Sequence, residues 1–246
     1  MKTAFLFQNW PYAAAMLFAL GMAARYFAMA EPTSASRHWP LERHDPFSKT
    51  PLLQINLFLL LLGHLAGLLS PQRILLWNSI PFRLYALEIL AFGVGLWALG
   101  GWALLTWRYL GRSDASIGRQ AADVVFLSLL FTTLLSGSLT AILFRWGSSW
   151  GVITLTPYMV SLLRGHPAVE LVAGLPFLVR LHVFSALATL AALPATRLAP
   201  VPIAGFTRGL RLILSPLRVL AYSASKAVEV VVRRLNPGVW IWPEDD

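Results

Sequence analysis

The chain has 246 residues, 57% of them hydrophobic and only 13% charged, with a mean hydropathy of +0.64. A soluble domain carries about twice that charged fraction, so the composition excludes one and implies a multi-pass membrane protein. The absence of cysteine excludes disulfides, thiolate metal sites, an iron–sulfur cluster held by this chain and covalent c-type haem.

Five stretches are apolar and long enough to cross about 30 Å of hydrocarbon as helices: 12–30, 52–69, 85–106, 124–144 and 175–195. The first lacks the basic start and small-residue cleavage site of a signal peptide, so it is expected to stay as a span. A polar, Pro-rich connection over 31–51 follows, with His38 and His44 read as solvated loop residues. The second span contains His64, and the connection over 70–84 is short, as antiparallel neighbours require. The third span opens on Tyr85 and Glu88, and a basic turn over 107–122 leads to the fourth. The connection over 145–174 is longer and partly apolar, and it carries Trp146, Trp150 and His166. It is expected to lie along the membrane interface as a short helix, with the tryptophans as belt residues and His166 at the surface. The fifth span contains Arg180 and His182. Beyond Pro200 the chain turns basic, and it reads as amphipathic helices on the membrane surface. The domains expected are therefore a membrane domain over 1–200 and a basic tail over 201–246.

The net charge of +9 is explained by orientation. With the amino terminus outside, thirteen of the twenty Lys and Arg fall on inner segments, six on outer segments, and Arg25 within the first span. The excess of inner cations selects an N-out, C-in topology. No base-reading motif accompanies the charge, so lipid headgroups rather than nucleic acid are the expected partner of the tail. The fold class is all-α: five transmembrane helices with a basic amphipathic cytoplasmic tail.

His64 and His182 are the only histidines within spans, and ionisable groups inside a bilayer mark function by default. His64 stands about a turn and a half before the end of its span, and His182 about two turns after the start of its own. Both therefore lie at one depth near the outer face. Two imidazoles level on facing helices are what the iron of a non-covalent, b-type haem requires. The alternative is a pair of neutral histidines bonded to neighbouring helices. Gly63 and Gly67 beside His64 lower the bulk where a flat macrocycle approaches, although small residues also serve plain helix packing. Arg180 is a candidate partner for a haem propionate or, equally, an interfacial arginine.

Several short pieces carry a family resemblance: Pro11-Tyr12, Arg25-Tyr26, Asn56-Leu57-Phe58 leading to Gly63-His64, Ala122-Asp123, Arg180-Leu181-His182 and Arg197-Leu198. Through them the chain resembles the membrane cytochrome b (gamma) subunit of respiratory nitrate reductases, along with relatives in heterodisulfide-reductase-like and sulfite-reduction-associated complexes. The resemblance implies a five-helix, N-out protein of a prokaryotic inner membrane. It also implies that His64 and His182 ligate an outer haem b, with electrons passing between quinone and an iron–sulfur/molybdenum partner subunit. The ligands of the family's inner haem fall on Gln54 and Pro200, neither of which is histidine, so a single haem is expected. The family's lysine near the outer haem falls on Tyr85. Tyr85 can still bond a quinone oxygen, and Glu88, one turn on, is a candidate acceptor for a quinol proton or else a buried acid bonded to a neighbouring helix.

The function expected is therefore an electron-transfer subunit with no terminal active site of its own. Its partner is an iron–sulfur/molybdenum subunit of nitrate-reductase type or a heterodisulfide-reductase-like, sulfur-metabolism one. The alternative is a membrane anchor whose haem is structural or absent and whose basic tail docks the partner.

Overall fold

The computed structural model describes residues 2–30, 50–110, 117–196 and 198, with short stretches beyond 208. The first connection with His38 and His44, the turn at 111–116, Pro200 and most of the basic tail lie outside the described residues. The chain divides into two compact units, Met1–Phe206 and Thr207–Asp246.

The described elements are helical: α1 (Lys2–Ala30), α2 (Pro51–Leu69), α3 (Pro71–Asn78), α4 (Pro81–Leu110), α5 (Ile117–Leu143), α6 (Gly147–Leu163), α7 (Glu170–Ala173) and α8 (Phe177–Ala192), which runs on into a 3₁₀ turn over Leu193–Ala195. Prolines start α2, α3 and α4, where the missing N–H costs nothing and φ is already helical. Among the described residues, four stretches are long and apolar enough to cross a membrane: Pro51–Leu69, Pro81–Leu110, Ala121–Leu143 and Phe177–Ala195. The remaining sequence-expected span, 12–30, lies within α1, a helix of 29 residues.

Helix α5 packs along α8, α2 along α4, and α1 along α8, while α3 packs on α6. The approach of α2 to α4 depends on Gly101, where a Cβ would sit 2.9 Å from the Leu53 Cα. Backbones this close are how helices associate in lipid, where apolar surface gains little by leaving the solvent. Accordingly, large apolar side chains such as Phe82, Trp107 and Leu110 face outward, more than 70% exposed.

Two buried clusters hold the bundle. At the end where α2 begins, Leu53, Ala98, Leu105, Leu127, Leu130 and Leu198 interlock. At the opposite end, the α6 end, Phe7, Tyr158, Leu162, Val172 and Val183 do so. Within 145–174, where a short helix is expected, the second cluster holds a longer one. Helix α6 is 17 residues long, its Tyr158 is fully buried, and the Tyr158 hydroxyl donates to the Phe7 carbonyl at 2.7 Å. Its apolar run from Val152 to Leu163 has a face to bury, and α1 and α3 supply the surface. The 70–84 connection is likewise more than a loop, because Pro71 restarts a helix that lies on α6.

Candidate functional site

His64 projects from α2 and His182 from α8, and the fold brings them together. Their ring centroids are 6.1 Å apart, with the planes inclined at 34°. The Nδ1 of His64 lies 2.7 Å from the Leu60 carbonyl oxygen, and that of His182 lies 3.0 Å from the Thr133 carbonyl oxygen. A carbonyl can only accept, so each bond assigns the proton to Nδ1 and leaves the Nε2 lone pair free. Two such donors around one metal ion need centroids on the order of 6 Å apart, from a bond of about 2 Å on each side plus the ring radius. The observed spacing suits that arrangement.

The two rings are supported differently. His64 uses the carbonyl one turn back on its own helix, is exposed, and stands beside exposed Leu61, Leu62 and Leu65. His182 is half-buried against α5. A Cβ at Gly137 would sit 2.8 Å from its Cε1 and 3.0 Å from its Nδ1. Ser136 Oγ lies 3.5 Å from the same Nδ1, but its hydroxyl already donates to the Thr132 carbonyl at 2.6 Å. Of the two glycines read beside His64, Gly63 has open space where a side chain would stand. Gly67 instead makes room for α6: a Cβ there would lie 3.4 Å from Val152, and its carbonyl accepts from Thr156.

Arg180 is half-buried, and its Nε is a buried donor without a partner. It leaves α8 two residues before His182, on a different face of the helix.

Tyr85 and Glu88 both meet the segment that starts α6. Glu88 Oε1 accepts from the Ser148 backbone N–H at 2.8 Å and from its hydroxyl at 2.6 Å, which makes Glu88 a cap for α6. Asn78 Nδ2 reaches Ser148 and Ser149, each at 3.0 Å. Tyr85 packs edge-on to Trp146 at 4.9 Å, and Trp146 has a left-handed φ of 68° as it turns the chain into α6. A Cβ at Gly95 on α4 would lie 3.3 Å from Ser138 Oγ, next to Gly137, so Gly95 is level with His182. Glu88 is seven residues earlier, about 10 Å along the helix. The Glu88–Ser148 bonds match the sequence alternative of Glu88 as an acid bonded to a neighbouring helix, and Gly-Ser-Ser before an apolar run is the helix-start signal that goes with it. His166 is exposed, as expected, at the rim of a cavity of about 600 Å³ between α3 and α6 that also meets Gln72, Pro157 and Arg164.

At the other end of the same helices the chemistry is different. Gln54 and Asp123 are fully buried. Tyr109 donates to Asp123 Oδ2 at 3.3 Å, and Arg25 donates to the Pro194 and Thr196 carbonyls at 2.6 and 2.5 Å. Asp123 is the acidic charge that acts on Arg25. The leucines of the first cluster pack around this network. Among the described residues no histidine lies at this end, and no group of three or more His, Asp or Glu is gathered to hold a metal ion.

Residues 3–210 match the family model described as the nitrate reductase gamma subunit. The chain is also similar to the respiratory nitrate reductase 2 gamma chain of Escherichia coli (strain K12), at 27% identity over 220 residues, which cover 86% of this chain and 96% of that protein.

Proposed function

The chain belongs to the nitrate reductase gamma subunit family, and from that membership we propose that it is the b-type cytochrome subunit of a membrane oxidoreductase. It exchanges electrons between quinone and a catalytic partner of iron–sulfur/molybdenum type. The observation that carries the proposal is the facing pair His64 and His182, 6.1 Å between centroids, each with Nδ1 held by a carbonyl and Nε2 free.

These residues fit one haem b. His64 and His182 would hold its iron, and the unpartnered Nε of Arg180 supports a role for that side chain in meeting a propionate. Bound there, the haem supplies a one-electron carrier at the depth of the pair. A second haem does not fit the described residues. Gln54 stands where the family's inner ligand is expected, and it is fully buried beside the leucine cluster.

Oxidation of a quinol to quinone releases two electrons and two protons. Tyr85 presents a hydroxyl to a quinone oxygen, Glu88 takes one proton on the carboxylate oxygen that Ser148 leaves open and the second goes to water, while the two electrons would leave one at a time through the haem. Both stand on α4, outward of the histidine level. The remaining features of the reading are α1 as a fifth span, an N-out topology in a prokaryotic inner membrane, and a basic tail at the lipid surface. With one haem near the outer face, about half of a 30 Å core has no carrier. The partner must therefore bring a cluster into the inner half or dock at the outer side.

The test is the number of haems per chain in purified protein, read by reduced pyridine haemochrome absorbance. One per chain is expected. Two would show that a second ligand pair exists, and none would leave the chain as an anchor for its partner.

A further inference from the structure

The two histidines are not equivalent, and the difference lies in α5. Thr133 and Gly137 are four residues apart on that helix, so they stand one above the other on the face turned to α8. The Thr133 carbonyl already serves its own helix and gives its second lone pair to His182 Nδ1 at 3.0 Å. Gly137 leaves the imidazole edge nowhere to meet a side chain, since a Cβ would be 2.8 Å from Cε1. Two turns further along α8, the Thr189 hydroxyl pairs with the Thr133 hydroxyl at 3.1 Å, which fixes the register of α8 on α5. His64 has no such neighbour, because its Nδ1 bond closes within α2.

Building on the haem reading above, we propose that Thr133 and Gly137 form a socket on α5 that sets the plane and the Nε2 direction of the His182 ligand, with Gly137 as a positioning residue. The hydrogen bond fixes the tautomer, and the missing side chain fixes the rotation of the ring about that bond. The 34° inclination between the imidazoles is then a property of the α5–α8 interface. Such partners behind a ligand tune the metal they never touch.

The test compares purified wild-type, Gly137→Ala and Gly151→Ala proteins by electron paramagnetic resonance of the ferric haem and by redox titration. Gly151 lies in α6, where a Cβ meets nothing within 4 Å. Gly137→Ala is expected to shift the low-spin g values and the midpoint potential, while Gly151→Ala leaves both unchanged. Haem-loaded Gly137→Ala with wild-type spectrum and potential would overturn the socket while leaving the haem reading intact. Wild-type protein without haem would overturn both. If Gly137→Ala does not accumulate, electron–nuclear double resonance on the wild type in deuterated buffer decides the matter. One ligand Nδ1 proton, that of His182, is expected to exchange slowly and the other quickly, whereas two fast protons would overturn the socket.

Discussion

The α6 end of the bundle and the opposite end are built from the same long helices, yet they treat polar groups in opposite ways. At the α6 end, α2 and α8 hold two histidines with free Nε2 atoms, and the outer half of α2 is left exposed around His64. At the opposite end, polar side chains are sealed in: Tyr109 donates to Asp123, Arg25 donates to two carbonyls, and leucines close over Gln54. A polar group in hydrocarbon must find a partner or serve a function. The closed end pairs Tyr109 with Asp123 and Arg25 with two carbonyls while Asn56 Nδ2 and Thr106 Oγ1 stay buried there without a partner, whereas the open end keeps two imidazole lone pairs in reserve. That asymmetry is what the proposal of a single haem rests on.

The comparison breaks most completely at the open end. If the proposed pair holds the haem iron, replacing either histidine removes one of its two ligands, so His64→Ala and His182→Ala are each expected to lose six-coordinate, low-spin haem altogether. The helical content measured by circular dichroism should persist, because neither imidazole belongs to a buried apolar cluster. A normal low-spin spectrum in either variant would remove the ligand assignment.

The closed end should respond in stability rather than in spectrum. Asp123→Ala takes the carboxylate from the Tyr109 hydroxyl and from the charge of Arg25. Removing one partner of a buried ionic group costs on the order of 3 kcal/mol. The expected result is a clearly lowered thermal midpoint in detergent, with haem content and spectrum unchanged below it. Loss of haem at temperatures where the fold persists would show that the two ends are coupled.

How legible these ends are in the sequence differs for a physical reason. His64 and His182 stand out because an ionisable residue in an apolar run is costly, and their common depth follows from the helical rise alone. The closed end leaves a weaker trace. Arg25 and Asp123 are visible singly, but their approach depends on tertiary packing, with α1 and α5 both lying along α8. The socket on α5 is less legible still, because a backbone carbonyl carries no residue identity and Gly137 reads as one small residue among many. Helix α3 falls in what reads as a short connection over 70–84, and α6 in a segment where only a short helix is expected, because prolines such as Pro71 and Pro157 resemble loop punctuation in a sequence. In the structure Pro71 starts a helix and Pro157 lies inside one that α1 and α3 help to bury.

The smallest effect expected on stability is also the one that sharpens the open end most. Glu88 both caps α6 through Ser148 and stands on α4 outward of the histidine level. Glu88→Gln keeps an oxygen for the Ser148 N–H and hydroxyl but removes the negative charge from the helix start. A cost of about 1 kcal/mol or less follows from the lost charge–dipole term. The same change removes a group able to take a proton at that oxygen. If Glu88 serves quinol oxidation, turnover with a quinol donor should fall by about tenfold or more, while reduction of the haem by dithionite stays as in the wild type. Unchanged turnover with a slightly lowered thermal midpoint would make Glu88 a cap alone and would leave Tyr85 as the polar side chain assigned to the quinone. The midpoint reports what Glu88 does for α6 and the turnover what it does for quinol, so one substitution separates the two roles.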